Sequence, residues 1–433
     1  MATLRSINQD DLRNHNLSVV LDSLLRATEP MSRADLAKKT GLTKAAMSVL
    51  VSLMLDNEIL VEGAPSGQSL YGRPSIPLEI KGGCLCGMGL QANTDGYGVV
   101  ALDLDGSVVG EQWVDADMAN ADERAIFARL DELALQQEEA LAKKGYVLAG
   151  TGLALPGLVT DDMRLLSARN LGWERLDLKQ FDVVKRLDPV ACNEANAAAL
   201  AQVPGYATQR KDSGRIKPTD SFLYMSTDVG IGGAVIREGR VVSGDHGFGG
   251  ELGHVSVDMR GPVCRCGRRG CLEVYAGRRS MVSAAGIASS DAAATRSAID
   301  ELIDRWHQRD AQTVAVVEKA LEAMVSVIAS TINVCDVDVV MLGGLWVRFE
   351  PELIRRIERM VRPQVLAYPE VEASVLVADI VDRPALMGAA EIGLRRFIDN
   401  PLRFMKQKLV HPFVKLAKLA CSHVATWGVS SVG

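Results

Sequence analysis

The chain has 433 residues, 48% of them hydrophobic, with a formal net charge of −6 and a pI near 5.7. That length predicts two or three domains with ample apolar material for packed cores. The acidic balance excludes a surface coated for nucleic acid or membrane, so any DNA contact has to come from a local patch. Eight cysteines, at 84, 86, 192, 264, 266, 271, 335 and 421, lack the density of a secreted disulfide scaffold. The N-terminus MATLRSINQDDLRNHN has no apolar signal core, and no run reaches the ~18 apolar residues of a membrane span, which predicts a cytoplasmic protein with no span.

In chain order, LSVVLDSLLRA at 17–27 is helix-periodic and Glu29-Pro30 ends it. Ser32 can cap a second helix with Asp35 returning the bond, Gly41 makes a turn, and Thr43 can cap a third helix that runs to about Asp56. Short helix, glycine turn, longer helix is the helix-turn-helix pattern. On the third helix Met47, Leu50, Val51 and Met54 make one apolar face, and Lys44, Ala45, Ser48 and Ser52 lie opposite. Small and hydrogen-bonding residues near the start of such a helix can reach base edges in a major groove. Ile59 to Val61 and Ile76 to Ile80 read as a two-stranded wing. The candidate DNA contacts are Arg33, Thr43, Lys44, Ala45 and Ser48, with Arg73 at the wing tip Tyr71-Gly72-Arg73-Pro74. Residues 1–80 hold eight Lys/Arg against nine Asp/Glu, so charge alone leaves a dimerisation or protein-contact module open.

From Cys86 the pattern changes to apolar strands and glycine turns. Gly98-Val99-Val100 followed by Asp105-Gly106-Ser107-Val108-Val109 is echoed by Gly233-Ala234-Val235 followed by Glu238-Gly239-Arg240-Val241-Val242. Such a repeat of hairpins suggests two related α/β lobes with a cleft between them. Helices are expected near 121–144, 194–203, 311–330 and 350–361, and 205–220 reads as a surface loop.

The stretch FGGELGHVSVDMRGPVCRCGRRGCLEVYAG, Phe248 to Gly277, carries His254, Cys264, Cys266 and Cys271 at close spacing. Three thiolates and one imidazole are the donor set of a closed tetrahedral zinc site, so Zn2+ is the expected structural cofactor. Glu251 and Glu273 bracket the cluster. A histidine that gives one nitrogen to a metal presents the other to a polar ligand, and with two acceptors beside it the group suits a polyhydroxylated molecule.

Through GELGH and CxCGxxGCxE this stretch resembles the ROK family of sugar kinases and sugar-responsive repressors. The resemblance covers about 17–403 and implies an α/β fold: an N-terminal winged helix-turn-helix followed by a two-lobed, actin/hexokinase-like (ribonuclease H-like) domain. It implies sugar contacts for His254, Glu251 and Glu273, and the Gly72-Arg73-Pro74 tip resembles that of ROK repressors. Pro156-Gly157 resembles a sugar-pocket turn and makes Gly157 a contact. Asn193-Glu194-Ala195-Asn196 resembles the kinases' Asn-Asp-Ala-Asn, which makes Asn193 and Glu194 sugar contacts and leaves Glu194 as a vestigial base; a helix cap and first-turn acid is the alternative. Where kinases of the family carry Asp-x-Gly-Gly-Thr for phosphate and magnesium, this chain has Gln91-Ala92-Asn93-Thr94-Asp95. The second phosphate turn, Ser226 to Gly233, and the pair Gly343-Gly344 are retained.

The expected domains are therefore 1–80, which binds operator DNA, 81–403, which binds a sugar or sugar phosphate, and an extension, 404–433, that is loosely ordered or a surface helix. The expected protein is a non-enzymatic repressor, homodimeric or homotetrameric, with a sugar kinase as the alternative.

Overall fold

The computed structural model describes residues 8–27, 29–64, 76–205, 215–288 and 292–405. Arg73 and its wing tip, most of the 205–220 loop, Cys421 and the extension from 406 lie outside the described residues. The chain forms two compact units.

The smaller unit runs through Cys84 and takes in the described residues from Arg395 onward. Helix α1 is Gln9–Leu25, β1 Met31–Ser32, α2 Arg33–Thr40, α3 Lys44–Asp56, β2 Leu60–Glu62 and β3 Pro77–Ile80. Helix α1 begins earlier than the periodicity at 17 predicts. Its first half is polar, but Asn8 and Asp11 close a reciprocal capping box and Asn14 bonds the backbone of Asp399 and Leu402. Ser32 and Asp35 make the same box on α2, Gly41 takes the left-handed conformation that ends it, and the Thr43 hydroxyl caps α3. Leu17, Leu21, Leu36, Met47, Val51 and Met54 are fully buried together with Ile59 and Leu78. The strands pair in the order β1-β3-β2, so the predicted wing is an antiparallel pair with a third short strand beside it.

The larger unit is Leu85–Leu394. Its first lobe contains β4 (Leu85–Asn93), β5 (Gly96–Asp103), β6 (Val108–Asp115), α4 (Glu123–Lys143), β7 (Val147–Leu155), β8 (Leu158–Val159), β9 (Arg164–Ala168), β10 (Trp173–Asp177), α5 (Asp182–Leu187), β11 (Val190–Asn193) and α6 (Glu194–Leu200). The second contains β12 (Phe222–Thr227), β13 (Ile231–Arg237), β14 (Arg240–Val241), α7 (Glu273–Ala276), α8 (Arg278–Ala284), α9 (Ala292–His307), α10 (Ala311–Cys335), β15 (Val339–Gly344), α11 (Pro351–Val361) and β16 (Ser374–Val377). Helix α12 is Pro384–Asp399.

The two large sheets run β6-β5-β4-β7-β11 and β14-β13-β12-β15-β16. Each is a three-strand antiparallel meander extended by two parallel strands, the same order twice. The repeated hairpins read from the sequence are β5–β6 and β13–β14. All four expected helices form; α9 and α12 were not anticipated. Phe127 stacks on Phe181 with centroids 3.9 Å apart in the core of the first lobe. Trp346 and Phe349 anchor the core of the second. Alanine-rich α6 lies against β13 and β11, where side chains no larger than methyl allow close approach. The parallel strands deliver their C-terminal ends, Asn193 and Gly344, to one cleft between the lobes.

Candidate functional site

The cleft encloses about 740 Å³, inside the range of about 300–1,000 Å³ of small-molecule sites. Gly157, Asn193, Glu194, Glu251, His254 and Glu273 all line it. Residues far apart in sequence thus meet in one place.

Each has an identifiable local cause. Gly157 holds φ +85°, and a Cβ there would stand 2.0 Å from the Ser167 carbonyl oxygen, so only glycine fits this turn after β7. Asn193 ends β11 and caps α6: its Oδ1 accepts from the Ala195 amide at 2.7 Å, while its Nδ2 donates to the Gly157 carbonyl at 2.8 Å. The cap is therefore real, and it also braces the Gly157 turn. Glu194 opens α6, and Gln91, at the position of the missing magnesium carboxylate, donates to it at 3.4 Å.

Burial, then the carboxylates of Asp228 and Asp95, push Glu194 up to about 8 against the opposing bond from Gln91. The folded chain therefore keeps this proton at pH values where the unfolded chain has lost it. Stability falls as pH rises from the ordinary 4.5 towards about 8, and levels off above that. Glu194→Gln should remove this component: between about pH 5 and pH 8.5 its melting temperature should drop at least ~2 °C less than that of the wild type. Equal drops would refute the assignment.

Glu251 sits one turn before His254, and its carboxylate lies 3.9 Å from Nε2. Burial raises the Glu251 carboxyl, with His254 opposing and Glu273 adding to the rise. Glu273 opens α7 and accepts from the Ile231 amide at 3.4 Å. Two carboxylates and the outward face of one imidazole thus converge.

The inward face of that imidazole looks at the thiols. His254 Nδ1 is 3.8 Å from Cys264 Sγ, Cys266 Sγ is 3.6 Å from Cys271 Sγ, and all four donor atoms lie within 4.8 Å of one another. A tetrahedral cation with bonds of ~2.3 Å sets its sulfurs ~3.8 Å apart, which this cluster matches. The loop is pinned by bridges from Ser256 to Cys271 and from Val263 to Arg269. At Gly270, φ +65°, an added Cβ would meet the Asp258 carbonyl at 1.7 Å. Cys84, Cys86, Cys192 and Cys335 lie outside the cluster.

Sequence reading did not single out several of the cleft's polar residues. Arg169 and Asn170, in the β9–β10 turn, line the cleft, and Arg169 donates to the Arg265 carbonyl at 2.6 Å. Asp95 and Arg278 line it as a buried ion pair. The Arg-Asn-Leu-Gly turn could have been flagged by its Asn and Gly; nothing local marks Arg278.

In the smaller unit Thr43, Lys44, Ala45 and Ser48 are all exposed at the start of α3, and Ala45 and Ser48 lie away from its buried stripe. The Thr43 hydroxyl is engaged as the cap, and Ser48 Oγ donates to the Lys44 carbonyl at 2.9 Å. Arg33 is ion-paired with Glu62 at 2.6 Å, which neutralises it in the free protein.

The ROK family matches residues 99–396. The xylose repressor of Bacillus subtilis (strain 168) is 25% identical over 395 residues, spanning 90% of this chain and 98% of that protein. The N-acetylmannosamine kinase of Citrobacter koseri is 31% identical over 232 residues, 50% of this chain and 76% of that one. Among solved structures, a ROK family transcriptional regulator, a homologue of the E. coli MLC protein, aligns with a TM-score of 0.71 at 22% identity over 91% of this chain and 98% of that one. A ROK hexokinase from Thermus thermophilus aligns with a TM-score of 0.56 at 25% identity, over 74% and 99% of the two chains. No helix among the described residues is long and apolar enough to cross a membrane.

Proposed function

The chain belongs to the ROK family, and from that premise we propose that it is a sugar-responsive transcriptional repressor rather than an enzyme. The observation that carries this reading is the pairing of α3's exposed face in the smaller unit with full-length similarity to xylose repressors. The kinase relative quoted above matches half the chain.

In this reading Lys44, Ala45 and Ser48 meet a major groove, the α3 amides meet phosphate, and a homodimer or homotetramer binds a palindromic operator. In the cleft, Glu251 and Glu273 accept hydroxyl hydrogen bonds, His254 Nε2 offers a further polar contact, and Asn193 and Gly157 shape the floor. His254, Cys264, Cys266 and Cys271 hold Zn2+. When bound, the ion neutralises the thiolates and fixes the imidazole's orientation. Glu194, protonated near neutrality, is a hydrogen-bond donor to the sugar rather than a ready base. A sugar shifts DNA affinity only through a difference in its own affinity for the two states.

The test is binding of the purified protein to the DNA upstream of its own gene, at one stated salt concentration, with and without D-xylose, D-glucose, N-acetylglucosamine and their phosphates. Relief by one sugar supports the reading. Specific binding indifferent to the whole panel would sink the sugar coupling. Glu273→Gln should weaken sugar binding about 10- to 100-fold, since it removes a charged acceptor from a buried site, while leaving sugar-free operator affinity unchanged. Calorimetry on the responsive sugar reads it.

The retained second phosphate turn and Glu194 favour a kinase as the second reading. Sugar-dependent ADP release abolished by Glu194→Gln would establish it.

A further inference from the structure

The β4–β5 turn of the first lobe and the β12–β13 turn of the second occupy corresponding places in the two repeated sheets, and both line the cleft. One residue ties them together. Arg278, the first residue of α8, donates its backbone amide to the Asp228 carbonyl in the β12–β13 turn at 2.9 Å. Its guanidinium reaches across to Asp95 in the β4–β5 turn, Nη2 to Oδ1 at 2.7 Å and Nη1 to Oδ2 at 3.2 Å. The two side chains are 6% and 15% exposed, the most buried ion pair among the described residues.

We propose that the Asp95–Arg278 pair is an internal clasp that joins the two turns across the cleft and occupies the space a nucleotide's phosphates would need. This rests on the repressor reading and deepens it, because it makes closure of the lobes depend on the sugar alone. The charge arrangement supports it. A polyphosphate entering here would meet Asp95 and Asp228 on the two turns, and Gln91 stands where a magnesium carboxylate would be. Among the arginines that line the cleft, Arg278 is held by both turns, and its two Nη groups are already taken by the Asp95 carboxylate. Magnesium and nucleotide therefore do not fit this chain as they would fit a kinase. The clasp also sits next to the candidate sugar site: Glu273 and Arg278 belong to one elbow, held by the Glu273 carbonyl accepting from the Gly277 amide at 3.0 Å and from Ser280 Oγ at 2.9 Å. A sugar that moves Glu273 therefore acts directly on the clasp.

The experiment uses the full zinc-loaded chain without sugar or DNA, so its outcome is independent of whether the repressor reading holds. Amide hydrogen exchange is followed at residues 93–98 and 228–232 in the wild type, Asp95→Asn, Arg278→Gln and the double variant. Each single change should speed exchange in both turns by at least about tenfold, and the double variant should exchange no faster than the faster single, the signature of one shared interaction. Unchanged exchange, or additive effects, would overturn the clasp. On the unaltered protein, a fluorescent ATP analogue with magnesium should show no saturable binding up to about 1 mM; saturable binding below that would overturn it equally, even if the variants fail to fold.

Discussion

Cys266→Ser is expected to strip the protein of metal and of most of its sugar response together. Elemental analysis should read one zinc per chain in the wild type and a small fraction of that in the variant, with sugar affinity lowered more than tenfold. The reason lies in how little else holds this loop. Between Asp258 and Cys271 the apolar side chains point outward, Met259 88% and Val263 60% exposed, so the segment has no hydrophobic core of its own. What orders it is backbone bridging, side-chain hydrogen bonds such as Arg169 to the Arg265 carbonyl and Ser256 to the Arg269 carbonyl, and the four donors, and structural zinc supplies of order 10 kcal/mol in comparable small sites. His254 is both a donor and a wall of the cleft, so loss of the ion frees its ring and with it the Glu251–His254 arrangement. The rest of the larger unit keeps its two sheets and cores, so circular dichroism should change little. A variant that is metal-free yet binds sugar like the wild type would show that zinc plays no part in the site.

Ala45→Glu should abolish specific operator binding, an effect of at least about 100-fold, while sugar binding and melting temperature stay near wild-type values. Ala45 is exposed in the first turn of α3, on the side opposite Met47, Leu50, Val51 and Met54, so the change disturbs no packing. A carboxylate there faces the bases and phosphates that the helix would otherwise meet. Glutamate is also a good helix former and suits a helix N-terminus, which removes misfolding as an explanation. Lys44→Ala makes the graded counterpart: it should weaken binding to all sequences alike and reduce the salt slope by about one. Fluorescence anisotropy at several salt concentrations reads both. Undiminished operator affinity in Ala45→Glu would turn attention to the protein-contact alternative for this unit.

Much of this was written locally. The capping box at Ser32, the Thr43 cap, Gly41 and the apolar stripe of α3 depend on neighbours within four residues, so the helix-turn-helix pattern and its exposed face are legible in the chain itself. The same holds for the metal donors, which lie within eighteen residues of one another, and for the repeated hairpins, whose glycine turns and flanking valines recur in each lobe. Where local signals were weak the sequence misled or fell silent: the polar first half of α1 is helical because Asn8 caps it and Asn14 is anchored by residues 399 and 402.

Tertiary structure alone decided the rest. It assembled Gly157, Asn193, Glu251 and Glu273 around one cleft, because two sheets of identical strand order present the ends of their parallel strands to it. It pushed the Glu194 carboxyl well above its ordinary range, since burial and neighbouring acids are properties of a place and not of a motif. It paired Arg33 with Glu62 and Arg278 with Asp95, partners 29 and 183 residues away. Capping, turn and ligand spacing are short-range and can be read along the chain; ion pairs, desolvation and cleft geometry arise only where distant segments are brought within a few ångströms.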